Sequence, residues 1–285
     1  MAWQCFRLTC ELHSPLHIGY HTIGNVQRTR AYVPARNLWG AVTERLTRGG
    51  FSAEDAPAGD YQRMGNWVKQ HCAFSYFFLC EGDTLLNPRY EEDGMYYGAL
   101  TQAAFERRYL DAHVTTALDA TTTSAEEASL HEVEFIAPHR LDNTGNGERT
   151  QLHGWLFLDE TITACQDKIR ETLSDLHIGG ERRYGFGQLC LAGWKEDTLP
   201  DGYTVLSGAH HPRIEVKQNA PLLAHTLVDG IEARGSIEPV VGRETRSNGK
   251  FGQSLTHGQV CWSPGATLPV ETTFQITENG LWKHD

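Results

Sequence analysis

Four glycines and two arginines fall within the segment HIGGERRYGFGQL, from His177 to Leu189. Glycine lets a backbone take positive φ and come close to a ligand, so Gly179, Gly180, Gly185 and Gly187 could present amide hydrogens to an anion. Arg182 and Arg183 could pair phosphate oxygens or stack on a base, and Tyr184 could stack beside them. Phe186, set between two glycines, reads as a packing residue. A tight turn with no ligand is the plain alternative. The segment is not a dinucleotide fingerprint, because no strand leads into it and no helix follows its last glycine.

Other residues carry chemistry in smaller groups. Arg28, Arg30 and Arg36 lie close together, as do Arg107 with Arg108 and Arg243 with Arg246, while Arg140 stands beside His139. His17 and His21 share a loop with the first arginines and could act as acid and base, since imidazole titrates near neutral pH and arginine does not. No Asp or Glu lies between Ile18 and Asn37. The seven cysteines form no CxxC pair, so they read as reduced and packed. Zinc ligation by Cys72 with His71, or by His210 and His211, lacks the paired spacing of a structural site. No metal or other cofactor is expected.

The chain has 285 residues, 40% of them hydrophobic, enough for one large or two small domains. Its formal net charge of −11 argues against nucleic-acid binding through bulk positive charge. Any basic surface must therefore be local. The acids gather at Glu54 to Asp60, Glu91 to Asp93 and Glu126 to Glu134, away from the arginine groups, which leaves room for a basic groove on an acidic body. No long uncharged apolar stretch occurs, and Met1 to Leu12 carries Arg7 and Glu11. A cytoplasmic protein without membrane contact is expected.

The elements that would position these residues follow from periodicity. Phe6, Leu8, Cys10 and Leu12 alternate with Arg7, Thr9 and Glu11, which predicts a half-buried strand over residues 3–12. A turn-rich stretch, Ser14 to Thr29, precedes a helix from Asn37 to Leu46 with Asn37 as its cap. Gly49 to Gly65 reads as loop, and Cys72 to Cys80 as a buried strand. Thr115 to Ala128 reads as an extended excursion with a returning strand at His131 to Ala137. Asn143 to Gly147 reads as a turn. Gln151 to Leu158 reads as a strand, Ile162 to Leu176 as a helix, and Gln188 to Trp194 as a strand. The order strand, helix, strand, strand, helix, strand is that of a ferredoxin-like unit. A junction near Leu199 to Gly202 divides residues 1–198 from a smaller β-rich region, 199–285.

Three segments in this order resemble the CRISPR RAMP superfamily. The glycine loop is similar to its GG, basic pair, GFG pattern. HSPLHIG (His13 to Gly19) with YVPARNLWGA (Tyr32 to Ala41) is similar to its opening turn and first helix. HVTTALDATTTSAEEASLHEVEFI (His113 to Ile136) resembles the excursion of type III members. The resemblance implies an α+β fold: a ferredoxin-like (RRM-like) N-terminal domain with a glycine-rich loop and thumb-like excursion, plus a smaller, degenerate C-terminal β-rich domain.

The superfamily offers three roles. Slicing backbone subunits use an aspartate in the loop that here lacks any carboxylate. Repeat-processing endoribonucleases use a histidine, for which His17 and His21 are the candidates. GSIEPVVGRE (Gly235 to Glu244) and HGQVCWSPG (His257 to Gly265) resemble the second domain of the Cas-five-type subunit, which caps the five-prime handle of the guide RNA. That role implies a non-catalytic protein whose partners are guide RNA, RAMP backbone subunits and other effector proteins. Its RNA contacts would be Gly179, Gly180, Arg182, Arg183, Tyr184, Gly185, Gly187, His17, Arg28, Arg30, Arg36 and Arg243. Outside this class stands a ferredoxin-like protein that binds a phosphate-bearing small molecule in the glycine loop.

Overall fold

The computed structural model describes residues 3–53, 56–119, 121, 122, 124, 129–142, 147–206, 211–244 and 254–285. The alternating residues of the first strand, Trp3–Leu12, bury Phe6, Leu8, Cys10 and Leu12 on one face. That strand is flanked by two antiparallel partners, Gln151–Asp159 and Gln188–Glu196, and Phe77–Glu81 pairs antiparallel beyond Gln151–Asp159. The central order is thus last, first, third, second. The strand expected at Cys72 to Cys80 is split into Cys72–Phe74 and Phe77–Glu81, both paired to Gln151–Asp159. Gly154 is required in that strand, because a Cβ there would overlap the ring of Phe77.

Helix α1, Ala35–Arg48, buries Leu38, Val42 and Leu46. It begins earlier than expected: Pro34, not Asn37, occupies the N-cap, and no side chain caps the helix. Proline already holds the φ that the chain needs on entry. Helix α2, Tyr61–His71, falls partly in the stretch read as loop, with Asp60 Oδ1 accepting from the amides of Gln62 and Arg63, each at 3.0 Å. Helix α3, Gln102–Tyr109, buries Phe105 and Tyr109 beside a small sheet of Pro88–Glu91, Gly94–Tyr97 and Leu100–Thr101. Helix α4, Gln166–Leu173, follows a 3-10 turn, so the expected single helix from Ile162 is broken.

The stretch after the first strand is more regular than expected. Gly19–Ile23 and Val26–Thr29 form a hairpin, and His131–Ile136 adds to it in parallel, with Leu110–Thr115 at the far edge. The returning strand of the excursion is therefore built onto the loop that carries His21 and Arg28. Much of the excursion between 115 and 128, and most of the turn at Asn143 to Gly147, lies outside the described residues.

Residues beyond 199 form a seven-stranded sheet, with Tyr203–Leu206 at one edge and Ile237–Val240 at the other. No helix occurs there among the described residues. Buried side chains of both regions, from Phe6 to Trp282, form one continuous cluster. All seven cysteines are free thiols. Among the described residues no helix is long and apolar enough to cross a membrane, and no three His, Cys, Asp or Glu side chains gather as a metal ion requires.

Candidate functional site

The glycine loop is fixed by the turn of the opening segment. The amide of Gly180 donates to the carbonyl of His17 at 2.8 Å, and that of Gly187 to the carbonyl of Pro15 at 2.7 Å. Across the loop, Ile178 N donates to Gly187 O at 2.9 Å. Gly179, Gly185 and Gly187 take φ of +82°, +83° and +85°, and a Cβ on Gly179 or Gly187 would collide with the carbonyl oxygen of His17 or Ile178. Glycine is thus needed for conformation and for close approach together.

The tip of the loop, Arg182–Tyr184, is a short 3-10 turn that points outward. Tyr184 is 73% exposed, whereas Phe186 is buried edge-on against Phe135 at 5.5 Å, as the sequence reading expects. Arg182 pairs with Glu44 of α1 at 2.6 Å. Arg183 is exposed and has no ion pair among the described residues.

His17 is only 5% exposed, and its Nδ1 donates to the carbonyl of Glu134 at 2.6 Å. It therefore ties the opening turn to the excursion's returning strand and leaves Nε2 beside Gly19 and the glycine loop. His21 is exposed on the neighbouring hairpin, and the two histidines line different pockets. A carboxylate does reach this loop: Glu134 accepts from the amide of Thr29 at 2.9 Å and pairs with Arg28 at 3.1 Å. It arrives from a distant segment, so counting acids in the loop alone misses it.

Arg30 turns inward. Its guanidinium makes two bonds to Glu238, at 3.0 and 2.8 Å, donates to Tyr32 Oη at 2.9 Å and lies over the ring of Tyr20 at 4.7 Å. Arg36 donates to Asn279 Oδ1 at 2.9 Å and to the carbonyl of Arg243 at 2.6 Å, which draws Arg243 to the start of α1. Both arginines thereby join the N-terminal region to strands after residue 199. Arg108 and Arg140 are held on Glu81 together with Tyr109, at the base of the excursion.

Glu238 sits in a wider network. His225 Nε2 lies 2.7 Å from Glu238 Oε1, and its Nδ1 lies 2.7 Å from Tyr76 Oη. Burial alone would raise the Glu238 pKa, yet hydrogen bonds from His225 and Arg30 hold it well below the ordinary carboxylate range. Burial lowers the pKa of His225 against the upward pull of Glu238. The imidazole is then neutral, donating from Nε2 to the carboxylate and accepting at Nδ1 from Tyr76.

These parts enclose a groove of about 860 Å³. One wall is the opening turn with Gly179, Gly180 and Arg182. The start of α1, with Arg36 and Asn37, forms its floor, and the edge from Pro239 to Arg243 closes the other side. His17 and Arg30 line it too. Arg28 and His21 instead line an adjoining pocket of about 500 Å³, and Arg183, Tyr184, Gly185 and Gly187 lie on neither lining. The groove is lined by the guanidinium groups of Arg30, Arg36, Arg182 and Arg243, and the Gly180 amide at its wall is bonded to the His17 carbonyl, which corrects the expectation that this amide faces an anion.

No protein-family model and no curated protein sequence matches the chain. Solved structures do. The fold is similar to that of chains in the type III-B Cmr-beta complex. With one, from the cryo-EM structure of that complex bound to cognate target RNA and AMPPnP, the TM-score is 0.57 at 13% identity, covering 92% of this chain and 85% of the other. With another, from the complex bound to cognate target RNA, it is 0.57 at 12% identity, covering 92% and 86%. The likeness spans both regions of the chain.

Proposed function

We propose that this chain is a RAMP-superfamily subunit of a type III CRISPR effector, and that it holds guide RNA without cutting it. The observation that carries the reading is the glycine loop locked onto the opening turn at the rim of a groove whose far wall comes from the C-terminal sheet. The last, first, third, second order of the four antiparallel central strands, with α1 and α4 in contact, supports a ferredoxin-like N-terminal unit. The likeness to Cmr-beta chains supports an effector-complex role with RNA and protein partners.

Among the superfamily's roles, the Cas-five-type cap of the five-prime handle fits best. A long C-terminal region is then not an appendage but one side of the RNA path. Arg183, Arg182 and Arg243 contact phosphates and Tyr184 stacks on an exposed base, while the amides of Gly180, Gly185 and Gly187, bonded to the carbonyls of His17, Arg182 and Pro15, hold the loop in shape. Arg30 acts from beneath, by fixing Tyr20 and the edge strand. The excursion, with Val114, Leu118 and Leu130 exposed, meets the adjacent backbone subunit. Residues 1–198 and 199–285 are the two units of this design.

Purification from a host that expresses a repeat array tests the reading. A uniform, guide-sized RNA should copurify with the chain or its complex. A bound mononucleotide in its place would assign the glycine loop to a small phosphate ligand.

A further inference from the structure

We propose that the pocket of about 500 Å³ between the Gly19–Thr29 hairpin, helix α3 and the edge strand Ile237–Val240 receives one unpaired nucleobase of the bound RNA. The proposal rests on the RNA-holding reading. The pocket shares Tyr20, Arg30 and Pro239 with the groove, so a strand lying in the groove passes its mouth. Its volume falls in the roughly 300–1,000 Å³ range of small-ligand pockets.

The walls suit a flat ring. Tyr97 is stacked on Phe105 at 4.1 Å with an interplanar angle of 21°, which fixes it as a rigid surface. Tyr20 is 51% exposed, with the Arg30 guanidinium lying over one face of its ring at 4.7 Å. Met95 and Tyr90 complete the apolar lining. Unstacked bases are commonly received on such aromatic faces.

The charges point to a neutral guest and not a phosphate. Arg30 is neutralised by Glu238 and Arg28 faces Glu134, so neither guanidinium has a full charge to offer an anion. Glu106, at the helix side, accepts from Gln102 Nε2 at 2.8 Å through one oxygen, and its other oxygen has no hydrogen bond among the described residues. That oxygen can accept from an exocyclic amino group.

The test is a walk of single abasic sites along a short single-stranded RNA, with affinity for the full chain measured at each position. One position should stand out, its abasic form binding about tenfold more weakly, as the loss of a stacked base implies. Gln102→Trp, at an exposed helix position that plugs the mouth, should bind the intact RNA as weakly as wild type binds that abasic form. RNA that binds with no sensitive position would overturn the pocket and leave the RNA-holding reading intact. Adenosine monophosphate filling the pocket without affecting RNA binding would also overturn it. Absence of any RNA binding would overturn both.

Discussion

Gly180 donates its amide to the carbonyl of His17 at 2.8 Å, and the neighbouring Gly179 has no room for a side chain against the same oxygen. The functional loop and the opening turn are thus one unit. Gly179→Ala should force that contact apart in a backbone with φ of +82°, which costs about 1–3 kcal/mol from strain and overpacking. Urea unfolding of the variant checks this, with an unchanged midpoint counting against the packing described.

Arg30 and Glu238 fasten the two regions across 208 residues of sequence. Glu238→Gln leaves the Arg30 guanidinium buried without its counterion, and the expected loss is about 3 kcal/mol. Leaving stability unaltered would mean that the pair is more hydrated than its burial indicates. Because the partners come from both regions, the loss should appear in one cooperative transition.

The same network sets a direction for pH. His225 has a lowered pKa when folded, so its contribution is complete above its ordinary value of 6.5 and falls as the pH drops below it, because the unfolded chain then binds the proton more readily. Glu238 is lowered too, and its contribution is complete above 4.5 and falls further on acidification. Stability should therefore decline in two stages below about pH 6.5. Denaturant midpoints across this range give the answer, and Glu238→Gln should make the more acidic stage smaller, leaving the part that comes from Glu81 and Asp159, whose pKa values are also lowered by their hydrogen bonds.

At the loop tip, replacing Arg182 and Arg183 by alanine should leave the fold intact and weaken RNA binding. Each lost phosphate contact should reduce the salt slope of log affinity by about 0.7, the value for a single strand. Arg182 already pairs with Glu44, so Arg183→Ala alone should account for most of the loss. Equal affinity and slope in the folded double variant would remove the loop tip from the RNA path.

The exposed apolar residues of the excursion make a separate test. Leu118→Ser with Leu130→Ser should change stability by no more than about 0.5 kcal/mol, since both side chains are surface-exposed. Copurification with neighbouring subunits should fall. Normal assembly would show that the excursion does not meet them through these residues.

The sequence makes some of this visible and hides the rest for physical reasons. A period of two marks the first strand because only one face of Trp3–Leu12 is buried. Glycine spacing marks the loop because three of its positions need positive φ. Helix α2 is hidden because Gly65, a poor helix former, stands within it, and that glycine serves a tertiary contact: a Cβ there would come 3.1 Å from the Trp39 ring. The arginines show the opposite limit. Arg28, Arg30 and Arg36 look alike in sequence, yet their partners Glu134, Glu238 and Asn279 come from distant segments, so local spacing cannot separate the structural guanidinium groups from those that face a ligand.

The chain is expected to hold RNA and to leave it whole. Cognate repeat RNA, end-labelled, should be incubated with the wild-type protein and with a His17→Ala, His21→Ala double variant, each with and without divalent metal, while binding and chain length are followed together. The expected result is saturable binding by the wild type with the RNA intact in every condition, because His17 is occupied as a structural donor to Glu134 and His21 lies in a different pocket. Site-specific cleavage by the wild type that disappears in the double variant would make the chain a processing endoribonuclease and not an RNA-holding subunit.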